Sequence, residues 1–396
     1  MSKKFALYLL AVANFTHIVD SMLIMPLGDV FIEFFQISAL EYSYLVSAYA
    51  LGAVLSSLTA FLYLDRFDRK TALLFLYGGF SVGTLLCGYA DGYWMLVILR
   101  FLTGAFGGVI GALAFAIASD LFKFKERGMA IGILMGAFSA ASALGVPFGL
   151  YLAATFNWRI PFICLGLLGI LMLILLLWKF PSISIHREEI DERPTVKRTV
   201  NLLIRDSNQV NALILGMILV LGHFIIIPFI SPFMIRNVGF SQMEITWIFL
   251  LGGLSMVFSA PLVGKLTDRI GVMKVFTASI VLSFIPTIGI THMGPSPLWY
   301  GLLYTTLFFI FGSSRMIPAN TMITASVGLE NRGSFMSMKS ALQQLAIALS
   351  SLISGTIVFI GEDGLYHNYH LVAYLSIAFC LWSVYLCSRL RVAAGN

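Results

Sequence analysis

The chain has 396 residues, of which 59% are hydrophobic and 11% are charged, and its formal net charge at pH 7 is +6. Soluble proteins carry about 25% charged residues, so this composition excludes a soluble globular protein and indicates a polytopic membrane protein. The net positive charge does not indicate nucleic-acid binding, because membrane proteins collect Lys and Arg on their cytoplasmic loops.

Runs of about 20 apolar residues are long enough to cross the bilayer as helices, and the sequence contains twelve of them. They lie at residues 5–28, 42–62, 71–90, 93–119, 128–153, 160–180, 209–230, 245–263, 275–293, 298–323, 335–359 and 369–388. The chain has 25 Lys and Arg residues. If the N-terminus lies in the cytoplasm, all of them face the cytoplasm except four: Arg159 and Arg236 lie on the outer side, and Arg100 and Arg315 lie within spans. This asymmetry follows the positive-inside rule and places both termini in the cytoplasm.

Span one carries a carboxylate, Asp20. An ionised Asp at the centre of a membrane helix costs roughly 2.5–3.5 kcal/mol to insert, and embedded ionisable residues are functional by default. Arg100 in span four lies at a matching depth in a helix of opposite direction. If spans one and four are neighbours, the two charges can meet, and a change in their distance would change the proton affinity of the carboxylate; a purely structural ion pair is the alternative. His17 lies on the same helical face, where it would relay a proton or hydrogen-bond the carboxylate.

The longest hydrophilic segment, residues 181–208, divides the chain into an N-terminal bundle of residues 1–180 and a C-terminal bundle of residues 209–396. "LDRFDRK" follows span two and "GKLTDRIGVMK" follows span eight, which places Asp65 opposite Asp268. At nearly the same offset, Arg127 after span four is opposite Arg332 after span ten. Two markers at nearly one offset indicate duplication, and paired six-helix halves are typical of one class of transporter.

On these motifs the whole chain resembles the major facilitator superfamily, and within it the drug:proton antiporter branch and its sugar-efflux-like members. The loop motif after span two is matched by Asp65, Arg66, Arg69 and Lys70, with Phe61 and Asp68 where glycines are expected. The second copy is more complete, with Gly264, Leu266, Asp268, Arg269, Gly271 and Lys274. The family pattern of span one is matched by Asp20 and Pro26, and that of span four by Arg100 and Gly104. The pattern of span five is matched in the altered form "GVPFG", by Gly145, Pro147 and Gly149.

The resemblance implies an all-α membrane protein with twelve transmembrane helices in two pseudo-symmetric six-helix bundles. It implies a secondary active transporter that exports a small drug-like, sugar-like or amphipathic molecule by proton antiport, through rocker-switch alternating access. A proton-coupled importer of a nutrient or organic ion on the same fold is the alternative. An intramembrane enzyme or a receptor is a third hypothesis, and the sequence contains no phosphate-binding loop or hydrolase motif to support an ATP-driven pump or an enzyme.

We therefore expect a proton gradient as the driving force, with no cofactor and no metal site, since the four cysteines form no CxxC pair. The expected partners are a small-molecule substrate, protons and the lipid bilayer, without nucleic acid. We expect a monomer in the cell membrane, as a multi-pass protein of the bacterial inner membrane.

The candidate site residues form four groups. The proton-coupling group is Asp20, Arg100 and His17. Candidates for the substrate cavity are His223 and Arg315, the ionisable residues within the spans of the second half. Four neutral polar residues are further candidates, and the alternative for each alone is an interhelical hydrogen bond: Asn14, Asn320, Gln343 and Gln344. Arg315 would attract an anionic substrate group or extend toward the interface.

The third group would form a cytoplasmic gate that latches the two halves, with positive-inside topology and turn chemistry as the alternative. It consists of Asp65, Arg66, Arg69, Arg127, Asp268, Arg269 and Arg332. The fourth group is Gly145, Pro147 and Gly149, which would allow span five to bend.

Overall fold

The computed structural model describes residues 3–63, 68–122, 124–180, 206–328 and 332–391. Within these residues, twelve helical segments are long and apolar enough to cross a membrane. Each overlaps one predicted span, so the predicted fold class is confirmed. Span one ends earlier than expected, at Leu23, because residues 24–27 form turns. Pro26 lies within these turns and has no N–H to continue the helix.

The helices before residue 181 are α1 (Lys3–Leu23), α2 (Gly28–Phe35), α3 (Ala39–Tyr63), α4 (Arg69–Cys87), α5 (Tyr93–Gly107), α6 (Ile110–Leu121), α7 (Phe124–Ala140), α8 (Val146–Thr155) and α9 (Arg159–Lys179). Those after residue 205 are α10 (Ser207–Phe224), α11 (Ile227–Phe233), α12 (Gln242–Ile270), α13 (Val272–Thr291), α14 (Leu298–Ala325), α15 (Arg332–Ile357) and α16 (Tyr369–Arg389).

Chain contacts divide the protein into two compact units, one formed by Met1–Ile24 and Ala48–Arg193 and the other by Met25–Ser47 and Pro194–Asn396. The division differs from the predicted domain boundaries in one segment: residues 25–47, expected in the first bundle, group with the second unit. The predicted interdomain loop, residues 181–208, lies outside the described residues as far as residue 205. The domain boundaries themselves stay a prediction.

In the first unit, α1 contacts α6, α7 and α9, and α4 packs against α5 and α9. The buried core between these helices includes Leu10, Tyr77, Phe80 and Leu134. Asp68, which occupies a position where the family motif has glycine, caps α4, because its carboxylate accepts a hydrogen bond from Thr71 N at 3.1 Å. The departure from the motif thus has a local structural reason.

Span five is interrupted by a π-helical turn, Ala141–Gly145, which joins α7 to α8 directly before Pro147. Such turns and prolines are where membrane helices bend. A Cβ atom at Gly145 would overlap the Val19 side chain, and one at Gly149 would lie 2.7 Å from Leu23 Cδ1. The two glycines therefore let span five pack closely against α1; a moving hinge here stays a prediction.

In the second unit, α10 packs against α15 and α16, and α14 packs against α12 and α13. A short antiparallel hairpin, β1 (Phe359–Ile360) and β2 (Tyr366–His367), lies between α15 and α16. The hairpin lies outside the spanning segments and was not predicted. Its turn includes Gly364 at φ 76°, in the left-handed region that glycine adopts without strain.

Candidate functional site

The first unit contains a buried ion pair between the two residues that were matched by depth in the sequence. Arg100 Nη1 of α5 donates to Asp20 Oδ2 of α1 at 2.8 Å, and Nη2 donates to the Asp20 backbone oxygen at 3.2 Å. Both side chains are 0% exposed. The structure therefore brings the predicted pair together, with the charges of the two side chains neutralising each other away from solvent and lipid.

Aromatic and polar side chains surround this pair. The guanidinium carbon of Arg100 lies 4.6 Å from the centre of the Tyr49 ring and 5.9 Å from that of Phe162, so the cation also interacts with two aromatic faces. Asp20 Oδ1 makes no well-oriented hydrogen bond within the described residues, although the Thr84 hydroxyl lies close enough to interact with this carboxyl. One carboxylate oxygen thus holds the guanidinium while the other retains free acceptor capacity.

His17 is linked to the pair through Tyr49. The Tyr49 hydroxyl lies 2.9 Å from His17 Nδ1, and the two rings are stacked with their centres 6.5 Å apart. His17 makes no hydrogen bond to Asp20 in the described residues, so that expected alternative is not observed. Sequence reasoning did not single out Tyr49; the available signal was a tyrosine in the apolar run of span two.

The remaining polar candidates do not form one cluster. Asn14 donates to the Leu134 backbone oxygen at 3.3 Å and so connects α1 to α7. Asn320 Oδ1 accepts a hydrogen bond from Lys339 Nζ at 2.6 Å, and this lysine is 8% exposed. Gln343 and Gln344 are half-buried on α15. The sequence reasoning assigned Lys339 to a cytoplasmic segment, and its burial between α14 and α15 was not anticipated.

Arg315 and His223 lie together in the second unit. Arg315 is 2% exposed and donates from Nη1 to Cys380 Sγ at 2.8 Å and to Ser283 Oγ at 3.4 Å. His223 is buried, stacks on Phe308, and lies close enough to Arg315 to interact with it electrostatically. Arg315 therefore packs inside the helical bundle, and the alternative of a side chain extended toward the interface is not observed.

The predicted cytoplasmic gate is only partly described. Asp65 and Arg66, and the side chain of Arg332, lie outside the described residues. Arg69 forms an ion pair with Asp120 of the same unit at 3.5 Å, and Arg127 Nε donates to the Phe122 backbone oxygen at 3.3 Å. The last two members of the group, Asp268 and Arg269, are exposed at the end of α12.

A second ionic cluster, not found from the sequence, lies on the predicted outer side. Asp29 of α2, which is buried, pairs with Arg236 and accepts a hydrogen bond from the Tyr366 hydroxyl at 3.4 Å. Burial raises the pKa of the Asp29 carboxyl, and the adjacent Arg236 guanidinium opposes that rise. Glu33 joins Asp29 and Arg236 in lining a cavity of about 630 Å³.

Further contacts hold this outer segment, residues 25–47, on α11. The Tyr42 hydroxyl contacts the backbone oxygens of Met25 at 2.8 Å and Pro228 at 3.2 Å, and Ser231 Oγ donates to the Pro26 oxygen at 2.6 Å. Together with the Asp29–Arg236 pair, they explain why this segment groups with the second unit.

Comparison with known proteins gives consistent matches over nearly the whole chain. Residues 10–210 and 212–393 match the sequence model of the Major Facilitator Superfamily. The chain is 21% identical over 358 residues to the uncharacterized MFS-type transporter YbcL of Bacillus subtilis (strain 168), covering 90% of each. It is 25% identical over 320 residues to the inner membrane transport protein YdhP of Escherichia coli (strain K12), covering 80% of this chain and 79% of that protein.

The fold also matches a solved structure. A bacterial homologue of the human lysosomal transporter Spinster, crystallised in an inward-facing and occupied conformation, aligns with a TM-score of 0.79 at 16% sequence identity. The alignment covers 99% of both chains. At this identity the likeness shows the shared fold alone.

Proposed function

Because the chain belongs to the Major Facilitator Superfamily, we propose that this multi-pass membrane transporter exports a small molecule in exchange for protons. The observation that carries the proposal is the buried Asp20–Arg100 ion pair, which combines one carboxylate with one permanent cation. Transport would proceed by rocker-switch alternating access, driven by the proton gradient and requiring no cofactor.

The proton step uses the difference between the two partners. A guanidinium remains charged at all accessible pH values, whereas a carboxylate can take up a proton. When a conformational change separates the pair, Asp20 would bind one proton on its carboxylate and become neutral, and Arg100 would keep its charge. Re-forming the pair would release that proton. Each cycle would thus carry one proton at Asp20, opposite in direction to the substrate.

We propose a path for this proton beside the pair. The Tyr49 hydroxyl is hydrogen-bonded to His17 Nδ1, and the Tyr49 ring covers the Arg100 guanidinium. We assign His17 and Tyr49 the role of a relay between Asp20 and the transport pathway. Because Tyr49 contacts both His17 and Arg100, a movement of the Arg100 guanidinium would change the hydrogen bond between Tyr49 and His17.

On the predicted outer side, the contacts of residues 25–47 would break when that side opens. They comprise the Asp29–Arg236 pair and the hydrogen bonds of Tyr42 and Ser231. The cytoplasmic side would be held by the charged residues at helix ends that the sequence identified, with Arg69, Asp268 and Arg269 among them. Alternating access would then consist of exchanging one set of contacts for the other.

Export is proposed over import because the segment "GVPFG" of span five resembles the family's antiporter motif in altered form. The proposed setting is the bacterial inner membrane with both termini in the cytoplasm, and the proposed working unit is a monomer. A proton-coupled importer is the second candidate, because the same ion pair would serve transport in either direction.

The test is proton-coupled flux in proteoliposomes loaded with the pH indicator pyranine and exposed to a panel of cationic, neutral and anionic compounds. Compounds that elicit proton movement in the wild type should elicit none in Asp20→Asn. Asp91→Asn is the matched control, because this carboxylate is 90% exposed in its ion pair with Arg159. Undiminished gradient-driven flux in Asp20→Asn would contradict the assigned proton site. Proton and compound moving in the same direction would establish the importer.

A further inference from the structure

The two halves differ in the charge of their central residues. The sequence offset that relates Asp65 to Asp268 also relates Asp20 of span one to His223 of span seven. In the first half the residue at this position is a carboxylate that pairs with an arginine from span four. In the second half it is an imidazole, and the arginine beside it, Arg315, comes from span ten. The repeat position that corresponds to Arg100 is therefore not an arginine, but about ten residues further along span ten Arg315 again places a buried cation next to this position, without a carboxylate beside it among the described residues.

Arg315 is surrounded by neutral side chains. Its guanidinium lies among α10, α13 and α16, with Ser283 Oγ and Cys380 Sγ as hydrogen-bond partners of Nη1. Its Nε is buried and has no hydrogen-bond partner within the described residues. The Ser283 hydroxyl itself donates to the Ile280 backbone oxygen at 2.7 Å, so it can only accept from the arginine.

His223 offers a second unused polar atom at the same place. Its Nδ1 is buried without a hydrogen-bond partner in the described part of the chain, and its ring stacks on Phe308 with the ring centres 5.1 Å apart. A Cβ atom at position 312 would overlap this ring, so Gly312 leaves the space that the imidazole occupies. The histidine is thus packed within the range of electrostatic interaction with Arg315.

The charge of this region is not balanced by other residues that the structure describes. The buried carboxylates among them are Asp20 and Asp29, and these pair with Arg100 and Arg236. A buried charge without a counter-ion costs several kcal/mol. A guanidinium cannot lose this cost by giving up its proton.

We propose that Arg315 and His223 bind one anionic group, a carboxylate, a phosphate or a halide, which supplies the missing counter-ion. The guanidinium presents Nε as a free donor, and His223 Nδ1 offers a second nitrogen without a hydrogen-bond partner in the described part of the chain. The source is either the anionic end of the transported substrate or a free anion. The first case rests on the proposed transport function and narrows it to anionic substrates.

The experiment measures binding in nanodiscs of zwitterionic phosphatidylcholine, where neither transport nor a proton gradient is needed. The unfolding temperature is followed against sodium benzoate, benzyl alcohol and benzylamine, with sodium held constant by sodium isethionate. Benzoate should raise the unfolding temperature saturably, and the neutral and cationic analogues should not. Arg315→Gln should weaken the apparent affinity for benzoate about tenfold or more, and Arg315→Lys should retain part of it.

Arg391→Gln is the matched control, since Arg391 is exposed at the end of the described chain and should bind benzoate like the wild type. Equal and non-zero stabilisation by all three aromatic probes, no stabilisation by either benzoate or chloride, or unchanged benzoate affinity in Arg315→Gln would overturn the proposal. Benzoate binding that emerges only in Cys380→Ser would also overturn it, because the Cys380 thiolate would then be the counter-ion. If Arg315→Gln does not fold, the stabilisation of the wild type and of Arg315→Lys by benzoate, benzyl alcohol and benzylamine tests the proposal instead.

Two further arms identify the source of the anion. Stabilisation by sodium chloride but not benzoate would support a free inorganic anion. Stabilisation by benzoate together with benzoate counterflow in proteoliposomes would support an anionic substrate. The binding measurements in nanodiscs do not depend on proton coupling by Asp20. A failure of the antiport proposal can therefore be distinguished from a failure of the anion site.

Discussion

Removing either partner of the Asp20–Arg100 pair should destabilise the protein unequally. Asp20→Asn leaves a permanent cation buried among aromatic rings, and breaking a buried ion pair in this way costs about 3–5 kcal/mol. Arg100→Gln leaves a carboxylate that can become neutral by binding a proton, so we expect a smaller loss, about 1–3 kcal/mol. The double variant has no buried charge at this site and should recover part of the loss, with a coupling energy of about 2–3 kcal/mol.

These free energies of unfolding are measurable by steric trapping in bicelles, as a double-mutant cycle. We expect a large coupling energy because Arg100 donates hydrogen bonds of 2.8 Å and 3.2 Å to Asp20 and both side chains are completely buried. Asp91→Asn, at an exposed ion pair, should change stability by less than about 1 kcal/mol. Additive effects of the two single substitutions, or a larger loss in Arg100→Gln than in Asp20→Asn, would refute the reasoning.

Three other variants test separate parts of the structure. Tyr49→Phe keeps the ring over the guanidinium and removes the hydroxyl; we expect about 1 kcal/mol lower stability and slower proton flux in pyranine-loaded vesicles, and unchanged flux would argue against a relay. In Arg236→Gln, burial still raises the pKa of Asp29, and the cation that opposed this rise is gone. The contact of α2 with the β1–β2 hairpin should therefore persist at low pH, where Asp29 is protonated. It should open as the pH rises through the raised pKa, because the carboxylate then becomes charged without a counter-ion. Distances between spin labels on α2 and on the β1–β2 turn measure this opening, and a pH-independent distance would contradict it. Gly145→Ala should cost about 1–3 kcal/mol by overpacking against α1, whereas Gly132→Ala, with open space around it, should be neutral; equal thermal stability of the two would contradict the close packing.

Much of the fold was accessible from the sequence, because membrane helices are specified by length and polarity. A span needs about 20 apolar residues whatever its neighbours are, and charges at the loops fix the count. The depth of a residue also follows directly from its position in a straight helix. For this reason the matching depth of Asp20 and Arg100, in two different spans, is predictable from the sequence, whereas the adjacency of the two spans was taken from the family resemblance.

Contacts made by the irregular connections were not accessible in the same way. Asp29 follows the turns formed by residues 24–27, and Arg236 lies within a π-helical turn, Met234–Val238. Neither depth nor helical face is defined at such positions. Tyr49 was missed for another reason: its ring packs as an apolar side chain and only its hydroxyl makes the polar contact.

The comparison of the two halves gives a physical reason for a buried carboxylate beside the arginine of span four and, in the described residues, none beside the arginine of span ten. A proton carrier requires a group that alternates between charged and neutral forms, and Asp20 is such a group beside the fixed charge of Arg100. A second carboxylate beside Arg315 would neutralise that cation permanently and remove its attraction for a mobile anion. With His223 in its place, the cation in the second half stays available. In the proposed mechanism, proton binding and anion binding are thus assigned to different halves, and neutralising Arg315 should abolish anion selectivity while leaving the Asp20–Arg100 coupling energy unchanged.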